Sequence, residues 1–135
     1  MGIYGKGARG KATRLHAQII RNRGNCEACS STNQLQCAHI VSRKFSITRT
    51  DLRNAVCLCA GCHRKFTDRP FEWVKWVDSK ITAKKHQQLQ TMADNYVKTK
   101  FPKIDWEQRA IFLTEVNNKF EKVSIAMAWQ LENSS

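Results

Sequence analysis

Four of the six cysteines of this 135-residue chain form two Cys-x-x-Cys pairs, Cys26/Cys29 and Cys59/Cys62, with 29 residues between them. Two residues between thiolates let one tight turn present both sulfurs to a single ion. Four thiolates make the closed tetrahedral set of a structural zinc site. No apolar run follows the basic, Gly-rich N-terminus, so no secretory leader is expected, and the cysteines read as metal ligands rather than a disulfide framework. No thioredoxin-like strand–helix–strand pattern surrounds either pair. Cys57 reads as a small buried hydrophobe. Cys37 lies two residues before His39 and so shares a strand face with it.

A four-thiolate site is complete without histidine, which leaves His39 and His63 for other chemistry. Imidazole titrates near neutrality, so its neutral form can take a proton from water or hold a divalent ion. The elements that must position them follow from the pattern. Residues 35–42, LQCAHIVS, predict a first strand. Residues 43–53 predict a long basic loop, and 54–59, NAVCLC, a second strand opened by Asn54. A short helix is expected to begin within or just after CAGCHRKF. A hairpin with that helix packed across it brings His39, Asn54 and His63 together.

His39, Asn54 fifteen residues on and His63 nine residues further, framed by the paired cysteines, resemble the HNH endonucleases, the ββα-metal or His-Me finger nucleases. The stretches CAHIVSR and LRNAVCLCAGCHRKFTDRP are similar to small phage and prophage members with a four-cysteine zinc site. The resemblance covers about a third of the chain. It implies an α+β fold, with a zinc-stapled ββα core at about 25–68 and flanking helices. It implies His39 as general base, Asn54 as the brace between backbone segments, and His63 as ligand of one divalent ion, Mg²⁺ or Mn²⁺, at the scissile phosphate. Many members carry Asp just before the base, where this chain has Ala38. The Ala38 carbonyl, Cys37 and Asp51 are the alternatives for a second ligand, and a histidine ligand tilts preference towards Mn²⁺, Ni²⁺ or Co²⁺. The same departure keeps open a non-catalytic zinc-containing DNA-binding module, or an accessory subunit of a phage packaging or recombination complex.

Charge points to the same class of partner. Through residue 66 there are 12 Lys/Arg against 2 Asp/Glu, and from residue 67 onward 11 against 9. A surplus of that size beside the cysteines favours a polyanion such as nucleic acid, and the resemblance implies DNA, expected to be double-stranded. Arg43, Lys44, Arg49 and Arg53 between the strands, and Arg64 and Lys65 beyond His63, are the expected phosphate contacts. One chain offers one active site, so a double-strand break would require a homodimer or two encounters. No apolar run is long enough for a membrane span, and a cytoplasmic location is expected, that of the bacterial host if the chain is phage-encoded.

Outside the core, residues 1–11 predict a flexible basic arm whose Lys6, Arg9 and Lys11 track a neighbouring groove with Arg14. A helix is expected over 12–23, with Arg14, Arg21 and Arg23 exposed. Residues 69–130 predict helices, the first burying Phe71, Val74, Val77 and Ile81. Thr82 and Asp105 are the expected N-caps. Trp73, Trp76 and Trp106 read as packing residues, Trp129 as one whose burial depends on a partner, and the last five residues as frayed. His16 and His86 read as surface or packing residues.

Overall fold

The computed structural model describes residues 7–133. Two strands, β1 (Leu35–His39) and β2 (Ala55–Cys59), pair antiparallel with Cys37 opposite Cys57, Ala38 opposite Val56 and His39 opposite Ala55. The pleat sends alternate side chains to opposite faces, and both faces are covered. On one, Ala38, Val56 and Leu58 join Phe66, Val77, Ile81, Leu89, Ala93 and Trp129. On the other, Ala55 and Cys57 join Ala12, Ile19, Ile20, Leu113 and Val116. This double burial is why AVCLC is an unbroken apolar run rather than an alternating one.

The first face is covered by α3 (Ala60–Asp68), α4 (Pro70–Ile81) and α5 (Ala83–Lys98), the second by α1 (Gly7–Arg21) and α6 (Trp106–Lys119). A short helix, α2 (Ser46–Arg49), and a single 3-10 turn at Leu52–Asn54 occupy the loop between the strands. The last helix, α7 (Ile125–Asn133), packs on that turn. Gly24, at φ +85°, ends the α1 segment, in a conformation that costs glycine nothing. Thr82 and Asp105 cap α5 and α6 by accepting from the amides of Lys85 (3.2 Å) and Gln108 (3.0 Å). No helix among the described residues is long and apolar enough to cross a membrane.

Several expectations need correction. Residues 7–11 are not arm but the first turns of α1. Gly10, Ala12 and Thr13 are buried there, and Arg9 lies over the Trp106 ring at 5.9 Å. Lys6 and the rest of the arm lie outside the described residues. Arg23 is buried rather than exposed, donating to the carbonyls of Val123 (2.7 Å) and Ala55 (3.2 Å) and pairing with Glu27. On α4, Phe71 and Val74 face solvent, while Trp73 and Trp76 pack with Phe66 at centroid distances of 5.4 and 5.2 Å. Indoles bury more apolar area than the residues they displace from the core. Trp129 is buried within the chain itself, under Arg53 and Lys85. Helix α7 runs through Asn133, beyond the expected end near 130, because Glu132 is tied into the fold; residues 134–135 lie outside the described residues.

Candidate active site and metal centre

One sulfur from each of Cys26, Cys29, Cys59 and Cys62 lies within 4.8 Å of the others. The sulfurs of Cys29 and Cys59 are 3.7 Å apart, against about 3.8 Å for two thiolates on a tetrahedral zinc with bonds of about 2.3 Å. The first pair sits in a knuckle closed by the Ser30 amide donating to the Cys26 carbonyl (2.8 Å). That knuckle is fastened to β2, where the Glu27 amide donates to the Cys57 carbonyl and the Cys57 amide to Glu27 Oε1, both at 2.8 Å. Cys59 ends β2 and caps α3, its sulfur accepting from the Cys62 amide. Burial opposes ionisation of Cys26, but the backbone amides of Cys59, Cys29 and Ala28 outweigh it and lower its pKa to about 6. The tetrad is a cluster of four sulfurs at the junction of β2 and α3, where Cys59 is also the N-cap of the helix. Cys57 points to the opposite sheet face and stays out of it.

His39 is the last residue of β1, and its Nε2 donates to the Arg49 carbonyl at 2.9 Å. A carbonyl partner requires the proton on Nε2, which leaves Nδ1 as the acceptor. Burial lowers the His39 pKa, aided by the charges of Arg43, Arg49 and His63, against the opposing effect of the Arg49 carbonyl. Asn54 is wholly buried. Its Oδ1 accepts from the Val41 amide (2.7 Å), and its Nδ2 donates to the carbonyls of Val41 (2.9 Å) and Thr48 (3.1 Å). One side chain thus ties the end of the first strand to α2, and α2 ends on the carbonyl that holds His39. His63, in the first turn of α3, bonds through Nδ1 to Gln36 Oε1 at 2.7 Å. That amide oxygen places the proton on Nδ1 and leaves the Nε2 lone pair for an ion, the outer-shell arrangement usual for a ligating imidazole. Burial lowers the pKa of His63 as well.

Two adjoining clefts share His39 and His63. One, of about 200 Å³, is also lined by Ala38, Phe66, Thr67 and Trp73. The other, of about 300 Å³, is also lined by Thr13, His16, Cys37 and Arg43. Of the alternatives for a second ligand beside His63, Asp51 is engaged elsewhere, while Cys37 shares the larger cleft with His63. Asp51 caps the 3-10 turn and holds Arg53 through both carboxylate oxygens (2.9 and 2.7 Å). Cys37 faces α1, its sulfur 3.8 Å from His16 Nδ1. Ala38 lines the smaller cleft.

The expected phosphate contacts divide into two groups. Arg43, Lys44, Arg64 and Lys65 are exposed, and Arg43 lines the larger cleft. Arg49 is half-buried, its Nε donating to the Arg43 carbonyl at 2.8 Å. Arg53 is turned inward, with a side chain 11% exposed, paired with Asp51 and lying against Trp129. Its charge is spent inside the fold.

Four residues of the site escaped the sequence reading. Gln36 shares the Ala38 face by strand alternation, a usable signal. His16 falls at helical spacing among Ala12, Thr13, Ile19 and Ile20, which marks it as buried; it packs 5.3 Å from the His39 ring. Arg109 and Glu132 form a two-bond ion pair (2.9 Å each) that grips the 50–54 segment. Arg109 donates to the Thr50 carbonyl, and Glu132 accepts from the Leu52 amide at 2.7 Å. Nothing local in the sequence joins residues 80 positions apart.

Residues 26–69 match the family model described as HNH endonuclease. No curated protein and no solved structure matches the chain. The matched segment runs from the first cysteine of the tetrad to the residue after α3, and it contains all three of His39, Asn54 and His63.

Proposed function

With residues 26–69 matched to the HNH endonuclease family as premise, we propose that this protein is a metal-dependent DNA endonuclease or nickase. The observation that carries the proposal is the pair of opposed tautomers at one cleft. His39 is held with Nδ1 free to accept a proton, and His63 with Nε2 free to hold an ion. In this reading Nδ1 of His39 takes a proton from water as the water oxygen attacks phosphorus and the bond to the leaving 3′-oxygen breaks. A divalent ion on His63, Mg²⁺ or Mn²⁺ with Ni²⁺ and Co²⁺ as further candidates, supplies charge stabilisation to the phosphate and the leaving oxygen. Asn54 and the Arg49 carbonyl keep the base in register, which is worth orders of magnitude where a reacting group must stay within a fraction of an ångström. Arg43, Lys44, Arg64 and Lys65 hold the flanking phosphates of duplex DNA, and zinc on the four cysteines sets the position of α3.

The absence of a carboxylate among the described residues lining either cleft favours a second reading, a zinc-containing DNA-binding module or a subunit that cuts only within a packaging or recombination complex. Supercoiled plasmid separates the two. Wild type and His39→Ala are compared in low salt with EDTA, Mg²⁺, Mn²⁺ or Ni²⁺. Metal-dependent conversion to open circles by wild type, lowered at least about 10²-fold in His39→Ala with DNA binding retained, supports the nuclease. Equal gel shifts without cutting by either protein support the binding module.

A further inference from the structure

His16, Cys37 and His39 form a second cluster of metal-ligating side chains on the α1 face of the sheet, apart from the four-cysteine tetrad. One donor atom from each of the three lies within 4.8 Å of the others. His16 Nδ1 and Cys37 Sγ are 3.8 Å apart, close to the about 3.6 Å that a thiolate and an imidazole nitrogen keep on a tetrahedral zinc. The two rings are fastened alike from behind. His16 Nε2 bonds to the Asp51 carbonyl (3.0 Å) and His39 Nε2 to the Arg49 carbonyl (2.9 Å). Both protons are thereby drawn to Nε2, and both Nδ1 lone pairs are left for an ion. A backbone carbonyl behind a ring nitrogen is the support that ligating histidines usually have. The cluster opens onto the cleft of about 300 Å³ that also holds Arg43 and His63. Three protein ligands with an open fourth position are therefore available.

We propose that His16, Cys37 and His39 bind a borderline-soft divalent ion of the zinc class, and that its binding captures the general base and switches the nuclease off. One thiolate and two imidazoles suit Zn²⁺ and its spectroscopic substitute Co²⁺. None of the three donors is an oxygen, so this cluster, unlike an ion at His63 that phosphate oxygens would complete, does not suit Mg²⁺. On binding, the Cys37 thiol gives its proton to solvent and a sulfur–metal bond forms, while the Nδ1 lone pair of His39 is donated to the ion and no longer available to water. The binding half stands on this geometry alone. The inhibitory half rests on the nuclease reading proposed above.

The test uses the full chain with its structural site filled by one zinc. Cobalt(II) is added to wild type, Cys37→Ser and His16→Gln, and the near-ultraviolet sulfur-to-cobalt band is recorded. Retained zinc and an unchanged thermal midpoint certify that each variant is folded. A new band saturating at one equivalent in wild type and missing from Cys37→Ser, with weaker binding in His16→Gln, is the expected result. No new band, or the same band in Cys37→Ser, overturns the site. Nicking in Mg²⁺ is then followed against added Zn²⁺, each protein relative to its own zinc-free rate. Loss of a ligand should raise the zinc needed for half-inhibition by about tenfold or more. Equal inhibition of wild type and Cys37→Ser overturns the switch and assigns the effect to His63. If no protein nicks DNA under any condition, the nuclease reading and the switch fail together, while the cobalt band still decides the site.

Discussion

At the scale of single residues, the least replaceable group is Asn54, because it is both donor and acceptor in a wholly buried place. Asn54→Asp keeps the acceptor for the Val41 amide but turns a carboxyl oxygen towards the carbonyls of Val41 and Thr48. Two buried acceptors then lose their donor, at about 1–3 kcal/mol each. Denaturant unfolding should register a loss on the order of 3 kcal/mol, and the activity that remains should fall further than stability, because the Arg49 carbonyl loosens with α2. A second expectation concerns pH. The folded-state pKa of His39 is lowered by burial first and by neighbouring positive charge second. His39 thus stays neutral to a pH below its ordinary pKa of about 6.5, and in its proposed role as base it sets the acid limb of a kcat/KM profile at a midpoint below that value. Arg43→Ala removes part of the opposing charge and should move the limb upward; a limb that stays fixed, or moves down, would contradict the assignment of His39. The placement of His39, Asn54 and His63 about one hairpin and helix was legible, because residue type and spacing single them out. Gln36 and His16 were legible only as positions on a face, since what they bond to depends on strand register and on the depth of α1.

At the scale of elements, the hairpin and α3 are held by different means. β2 is covered on both sides by side chains, whereas α3 is short and its start is set by Cys59, which is at once the last strand residue, a helix cap and a ligand of the tetrad. Cys59→Ser should therefore abolish the bound zinc, measured by mass spectrometry of the metal. It should also lower the thermal midpoint by far more than Cys57→Ala, whose side chain is only a methyl-sized filler of the opposite face. Equal losses from the two variants would mean that the tetrad does not hold α3. The Cys-x-x-Cys spacing announced this staple, since local geometry allows little else. The element boundaries were less legible. Residues 43–53 carry the composition of a loop, yet tertiary contacts stabilise α2 inside it, with the Asn54 amide on the Thr48 carbonyl. The α4 stripe holds at Val77 and Ile81 but not at Phe71 and Val74, because those two fit helical spacing as well as Trp73 and Trp76 do, and only the position of Phe66 decides between them.

At the scale of the molecule, the charge surplus of the first 66 residues is not all available to a partner. Arg23 and Arg53 are consumed by Glu27 and Asp51, the two acidic residues of that half, and Arg53 also donates to Asn133 of α7 (2.8 Å). This pairing was illegible in the sequence, where Arg53 looks like any other cation of a basic loop. It joins the ion pair of Arg109 and Glu132 in clamping the C-terminal helices onto the strand-connecting segment, so the loop that holds His39 in place is itself held by residues far outside the matched region. Salt titration of DNA binding separates a phosphate contact from a clamp. Each phosphate neutralised contributes about 0.9 to the slope of log K against log salt. Lys65→Ala, at an exposed position beside His63, should lower that slope by about 1 and leave stability within about 0.5 kcal/mol. Arg53→Ala should do the reverse, leaving the slope of the folded protein unchanged and costing about 3 kcal/mol, because Asp51 keeps its charge in a site 8% exposed with no cation to meet it. A lowered slope in Arg53→Ala at full stability would return that arginine to the DNA-binding surface.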